Sequence, residues 1–296
     1  MCTHCGCSVT AKTSIHKLDQ TGSAESAHGH AHAHAHDHDH DHDHAHAHPH
    51  AHPHSHTHDH THSHGHSHDH DHPQSTTKVL EQRILAKNDQ LAERNRIWFE
   101  QHNILALNLV SSPGAGKTTL LERTIRDLSA ERPIAVIEGD QATARDAERI
   151  QRTGCQVVQI NTGTGCHLEA AMLADGLHTL QPPQNAIVMI ENVGNLVCPA
   201  LFDLGERAKV VILSVTEGED KPLKYPHMFR AADIMILNKI DLLPYLQFDL
   251  QQCLDAAYAV NPALRVFQLS ATTGAGLPAW YDWLRSQSTV PLSSVS

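Results

Sequence analysis

The sequence predicts an α/β domain built on a doubly wound, mostly parallel sheet, preceded by a long histidine-rich segment that cannot build a core. Three observations predict it. Short apolar runs recur through the last two thirds of the chain, and most are apolar throughout rather than alternating, as strands covered on both faces require. Stretches with helical periodicity separate most of these runs, which is the spacing of βα units. Finally, 23 of the 29 histidines occupy every even position from His28 to His72, among residues too small or too polar to pack.

Three segments follow. Residues 1–27 form a Cys-containing head and a polar spacer. Residues 28–77 hold the histidine tract, whose seven Asp and absence of Lys and Arg account for −7 of the formal charge of −11. At an unperturbed pKa of roughly 6.5, about a quarter of its imidazoles carry a proton at pH 7, so the tract is close to neutral. It buries too little to offset chain entropy and is expected to be disordered without metal. Its imidazole density makes it a divalent-metal buffer, with an intrinsic order that places Cu²⁺ above Ni²⁺ and Zn²⁺. Residues 78–290 have the length of one globular domain.

Composition excludes several functions. Lys and Arg are in excess nowhere along the chain, which argues against a nucleic-acid binder. The longest apolar runs are strand-sized, so no membrane span is expected. The start, Met1-Cys2-Thr3-His4-Cys5-Gly6-Cys7, lacks the apolar region of an export signal. Seven cysteines, an odd number, are then expected to be reduced, cytoplasmic and available to metals.

Within the domain, Val79, Leu80, Ile84, Leu85, Leu91 and Trp98 recur at roughly helical spacing and predict an amphipathic helix over 78–101. Strands are expected at 104–110, 134–138, 156–160, 186–190, 210–215, 234–237 and 266–269. Directly after the first comes Ser111-Ser112-Pro113-Gly114-Ala115-Gly116-Lys117-Thr118-Thr119, followed by a helical apolar pattern. This is the strand–loop–helix context of a phosphate-binding P-loop. Backbone N–H groups of such a loop and of the helix start converge on phosphate oxygens, and Gly114 and Gly116 permit close approach. Lys117 is expected on the β- and γ-phosphates and the Thr118 hydroxyl on Mg²⁺. Ser111 stands where the strict pattern has glycine, which a small residue satisfies if its φ is negative.

Asn238-Lys239-Ile240-Asp241 ends the strand at 234–237. A carboxylate there accepts from both N1–H and N2–H₂ of guanine, donors that adenine lacks, so Asp241 selects GTP. Ser270-Ala271-Thr272 follows the last strand and offers a backbone N–H to guanine O6. Glu191-Asn192-Val193-Gly194 closes the strand at 186–190; Glu191 is expected to hold Mg²⁺ and Gly194 to sense the γ-phosphate. Asp140 and Asp146 are both candidates to hold Mg²⁺ or orient the attacking water, and the sequence does not choose between them. Asp140 to Ala144 also reads as a helix start.

Soft ligands complete the inventory. Cys2-X-X-Cys5-X-Cys7 places three thiolates where one turn of chain wraps one ion, with the fourth ligand from His4, the terminal amine or a partner. Cys166-His167 lies in a Gly-rich loop after the strand at 156–160, and Cys198 falls seven residues after Glu191. Together they suggest a second soft-metal site. Cys155 and Cys253 read as structural thiols.

Taken together, the Cys head, the histidine tract, the P-loop, Cys166-His167, Glu191-Asn192-Val193-Gly194-Asn195, Cys198 and Asn238-Lys239-Ile240-Asp241 resemble the hydrogenase nickel-incorporation GTPases, the HypB family. The resemblance spans nearly the whole chain. It implies a dimerising P-loop GTPase that hydrolyses GTP to GDP and serves a HypA-type metallochaperone and the large subunit of a [NiFe] hydrogenase. It also implies tight nickel binding by Cys2, Cys5 and Cys7. A weaker Ni²⁺/Zn²⁺ site at Cys166, His167 and Cys198 is implied near a dimer interface, with Lys221 and Lys224 approaching nucleotide across it. Alternatives are a urease-type or cobalamin-type maturation GTPase, against which the Cys head and the Cys166-His167 and Cys198 set argue, and a metal-storage protein with a relic nucleotide domain.

Overall fold

A computed structural model of the chain describes residues 13–18, 73–141 and 145–287, with the backbone alone at 73–77. Within this body an eight-stranded sheet has the order β1-β4-β3-β5-β2-β6-β7-β8. Its strands are β1 Ser14–Lys17, β2 Leu105–Ser111, β3 Ile134–Asp140, β4 Gln156–Asn161, β5 Ile187–Glu191, β6 Ala208–Ser214, β7 Ile234–Asn238 and β8 Arg265–Gln268. All neighbours are parallel except β1, which runs antiparallel along β4. The helices are α1 Pro73–Gln101, α2 Lys117–Leu128, α3 Arg145–Gln151, α4 Ala170–Leu180, α5 Lys221–Lys224, α6 Pro226–Ala231, α7 Leu250–Val260 and α8 Leu277–Ser286. The doubly wound, mostly parallel fold is the expected one, and all seven expected strands are present.

The continuous apolar runs are explained by burial: β2, β5, β6 and β7 are buried at every position. One layer of side chains packs α2 and α8 (Leu120, Leu121, Ile125, Trp280 and Leu284) onto the sheet. On the other face α1 and α4 contribute Phe99, Leu173 and Leu177, and α6 and α7 contribute Phe229 and Ala257. The side chain of Gly176 is missing for a reason: a Cβ there would sit 2.9 Å from Ile160 Cδ1, so α4 lies close on β4 only as glycine. The sheet places the carboxyl ends of β2, β5 and β7 at one edge, where doubly wound folds bind ligands.

Two features differ from expectation. The spacer contains β1, an edge strand pairing Ser14 with Asn161 and Lys17 with Val158. Helix α1 is present, but Val79, Leu80 and Ile84 are exposed. Its buried face is Asn88, Ala92, Asn95 and Phe99. Asn95 donates to the carbonyls of Ala170 and Leu204 at 2.9 and 3.0 Å. Asn88 donates to Asp203 O and accepts from Ala170 N. Amide hydrogen bonds to loop backbone, not apolar contact alone, fix the second half of this helix.

No described helix is long and apolar enough to cross a membrane. The head with Cys2, Cys5 and Cys7, and the histidine tract, lie outside the described residues.

Candidate functional site

Ser111 is the last residue of β2, and α2 begins at Lys117, so the five residues between them turn the chain from strand to helix. Gly116 has φ 99°, and a Cβ there would lie 2.5 Å from Asn238 Nδ2. Only glycine allows this turn. Ser111 is fully buried and its φ is not positive, so it fits the first position of the loop. Its hydroxyl accepts from Lys117 Nζ at 3.0 Å and donates to Ser112 O. The departure from glycine thus holds the lysine. Asn238 Nδ2 donates to Ala115 O at 2.9 Å and Lys239 Nζ to Gly114 O at 2.7 Å, so the β7 loop braces the P-loop.

Thr118 Oγ1 donates to Glu191 Oε1 at 2.8 Å. The second oxygen of Glu191 is buried and has no hydrogen-bond partner among the described residues. Burial drives the Glu191 pKa up to about 7, with Lys117 and Thr118 opposing. A hydroxyl beside a carboxylate with a spare buried oxygen fits Mg²⁺, a cation that takes oxygen ligands. The structure adds a group absent from the sequence reading. Glu138 pairs with Glu191 across β3 and β5, and its Oε2 is also buried without a hydrogen-bond partner among the described residues. Burial, and then the Glu191 charge, push its pKa to about 9. Its signal in the sequence was an acid inside an otherwise apolar, doubly covered strand, where a charge is costly.

Near neutrality Glu138 keeps its proton and Glu191 is about half ionised, and an arriving cation displaces protons. Loading Mg²⁺ with a guanine nucleotide at pH 7.5 is therefore expected to release about one proton. Titration calorimetry in buffers of different ionisation enthalpy measures it. Buffer-independent heats would exclude the protonated pair.

Asp140 and Asp146 are placed differently. Asp140 ends β3, and its carboxylate accepts from Gln141 N at 2.7 Å. Helix α3 is described from Arg145, and residues 142–144 of the expected helix start lie outside the described residues. Asp146, in its first turn, lies 3.3 Å from Arg149. Arg149 also bonds Glu122 at 2.7 Å and Thr119 Oγ1 at 3.4 Å.

On the base side, one carboxylate oxygen of Asp241, in the 3₁₀ turn Ile240–Tyr245, is buried with no hydrogen-bond partner among the described residues. Asn238 Oδ1 accepts from Ala271 N at 3.1 Å, so this N–H of the segment expected to meet guanine O6 is bonded within the chain. Ser270 is fully buried, its hydroxyl accepting from Thr273 N. Lys221 and Lys224 pair locally with Glu217 and Asp220.

The ligand atoms of Cys166, His167 and Cys198 all lie within 4.8 Å of one another. Cys166 and His167 are half-buried in the loop after β4, and Cys198 is buried at the start of a 3₁₀ turn after β5. The His167 ring lies 4.0 Å from that of Phe202, tilted by 34°, and its buried Nε2, 3.8 Å from Glu169 Oε1, has no hydrogen-bond partner among the described residues. Burial lowers its pKa to about 4, so the imidazole is neutral at physiological pH, the form that binds metals. Two sulfurs and one imidazole nitrogen fit a soft or borderline ion. The other described cysteines differ: burial pushes Cys155 up to about 12 and Cys253 up to about 11, as for inert thiols.

The two sites share backbone. Gly194, three residues after Glu191, abuts the P-loop, where a Cβ would meet Pro113 Cγ at 3.1 Å. Its neighbour Asn195 donates to Cys166 O at 3.3 Å. Across the loop, Gln141 donates to Gly165 O at 3.1 Å, one residue from Asp140.

Comparison with known proteins agrees with this geometry. Residues 105–268 match the family model described as CobW/HypB/UreG, nucleotide-binding domain. The chain is 59% identical over 204 residues to the hydrogenase maturation factor HypB of Escherichia coli K12, covering 69% of this chain and 70% of that one. Among solved structures it is similar to HypB from Archaeoglobus fulgidus (TM-score 0.65, 38% identity, 69% of this chain and all of that one). It is also similar to HypB from Helicobacter pylori in complex with nickel (TM-score 0.64, 36% identity, 70% and 99% covered).

Proposed function

Because the chain belongs to the HypB hydrogenase maturation factors of the CobW/HypB/UreG nucleotide-binding family, we propose that it hydrolyses GTP to control the loading and release of nickel for a [NiFe] hydrogenase. The observation that carries this reading is the shared loop: Glu191 bonds the P-loop threonine, and Cys198 of the soft-ligand triad follows seven residues later. Nickel is the cargo, and Zn²⁺ is a competitor that the same donors accept. Cytoplasmic location, a homodimer, a HypA-type metallochaperone and the hydrogenase large subunit as client belong to the same proposal. So do nickel capture by Cys2, Cys5 and Cys7 and storage in the tract within residues 28–77.

Hydrolysis requires water to attack the γ-phosphorus as its bond to the β–γ bridging oxygen breaks, giving GDP and phosphate. Loop N–H groups and Lys117 bind the β- and γ-oxygens, where negative charge must be held in place. Thr118 and Glu191 hold Mg²⁺, which when bound offsets that charge. Asp241 reads the base. Either Asp140 or Asp146 orients the water.

Linkage makes the mechanism reciprocal: if GTP alters nickel affinity at the triad, nickel alters GTP affinity by the same factor. Nickel titrations in the presence of GDP and of a non-hydrolysable GTP analogue test this. The expected difference is roughly 5- to 150-fold. Equal affinities would remove the coupling.

A further inference from the structure

Asn192 is the residue after the Mg²⁺-ligand candidate Glu191 and is 2% exposed. Every polar atom of its side chain is engaged. Oδ1 accepts from Leu168 N at 3.1 Å and Val193 N at 3.0 Å. Nδ2 donates to Asn108 Oδ1 at 3.2 Å. Asn108, on β2, donates in turn to Glu206 Oε1 at 3.0 Å. Glu206 lies 3.7 Å from Lys209 Nζ, and Lys209 donates to Pro199 O at 2.9 Å and Phe202 O at 3.2 Å. Asn108, Glu206 and Lys209 are buried as well.

The two ends of this chain of bonds matter. Leu168 follows His167, Pro199 follows Cys198, and Phe202 lies against the His167 ring. Both backbone flanks of the soft-ligand triad therefore hang on one amide beside the nucleotide pocket. The network also has one direction. Paired with Lys209 and accepting from Leu204 N at 2.7 Å through Oε2, Glu206 accepts from Asn108 as a carboxylate, which fixes the Asn108 amide and hence the Asn192 amide, leaving Oδ1 for Leu168. Displacing one member of a buried, satisfied network leaves polar atoms unpaired, which is costly enough to favour a concerted shift.

We propose that Asn192 is the positioning residue that transmits nucleotide state to the metal triad, through Leu168 on one side and the Asn108–Glu206–Lys209 relay on the other. This rests on the nickel-coupling reading above. It adds to it a specific route, one that the shared loop alone does not require.

The test uses the full chain with Cys2→Ser, Cys5→Ser and Cys7→Ser, so that cobalt–thiolate charge-transfer bands report Cys166 and Cys198. Co²⁺ affinity is measured at chelator-buffered free metal with Mg²⁺·GDP and with Mg²⁺ and a non-hydrolysable GTP analogue. The parent should show an affinity ratio of at least about fivefold between the two states, the low end of ordinary coupling. In Asn192→Ala the ratio should collapse to within twofold while the charge-transfer bands persist. A merely structural role would weaken Co²⁺ equally in both states and leave the ratio intact, which would overturn the assignment. Should Asn192→Ala not fold, Asn108→Ala cuts the relay at its next bond and must lower the ratio; an unchanged ratio there also overturns it. A parent ratio of one would remove the coupling reading, and this route with it. A parent ratio that survives in the variants removes the route alone.

Discussion

Replacing Lys117 by alanine is expected to reduce GTP turnover by about 10³-fold while leaving Co²⁺ or Ni²⁺ binding at Cys166, His167 and Cys198 intact; loss of a positioned charge on the transferring phosphoryl group has effects of that order. The ammonium is buried, and it donates to a neutral hydroxyl, that of Ser111, at 3.0 Å. A charge held there without a carboxylate bonded to it is set to meet an anion. Alanine also removes the bond that engages the Ser111 hydroxyl, so Lys117→Met, which keeps the bulk, separates lost packing from lost charge. Single-turnover hydrolysis with saturating nucleotide, alongside thiolate charge-transfer titration, is the measurement. Turnover within tenfold of the parent would show that the lysine does not carry transition-state charge. Loss of metal binding with the nucleotide site empty would show instead that the two sites are not separable.

Much of this architecture was legible in the chain because it obeys local rules. The strands read as strands because both faces are buried, so apolar residues fill most positions of β2 and β6, with Asn108, Ser111, Lys209 and Ser214 the exceptions. The P-loop, Asn238-Lys239-Ile240-Asp241 and Glu191 were legible because each ends a strand at the same sheet edge. Cys166, His167 and Cys198 were legible for the same reason, although they lie in two different loops. The losses have a common cause. Strand β1 is four residues long and half polar, and its identity as a strand comes from pairing with β4 rather than from its own pattern. The anchoring face of α1 was misjudged because Asn88 and Asn95 bury amides against loop carbonyls, whereas the exposed Val79, Leu80 and Ile84 supplied the periodic signal. The Asn108–Glu206–Lys209 relay joins residues nearly one hundred positions apart in sequence. No window of sequence contains such a network, since its meaning lies in which buried polar atoms meet.

Asp241→Asn is expected to invert base preference, from GTP to xanthosine triphosphate. The carboxylate oxygen buried at the β7 loop accepts nothing from the described residues, leaving it for the base. Guanine presents N1–H and N2–H₂ along one edge, two donors for two carboxylate oxygens. Xanthine keeps N1–H and replaces the amino group by a carbonyl. Asparagine matches that edge, since its oxygen accepts from N1–H and its amide donates to the carbonyl. Against guanine the same amide meets the N2 amino group, donor facing donor, with water excluded from the contact. Sites that hydrogen-bond a group reject its mismatch by about 10⁴-fold, and a partly solvent-facing base edge reduces this to roughly 10²- to 10³-fold in GTP affinity. The chemistry at the γ-phosphate lies at the other end of the nucleotide, so kcat with saturating xanthosine triphosphate should stay near that of the parent with GTP. Competition between the two nucleotides, read by hydrolysis of each, gives both quantities. A variant that still prefers GTP would place the base elsewhere. The bracing of the P-loop by Asn238 and Lys239 would then be structural, with no part in reading the nucleotide.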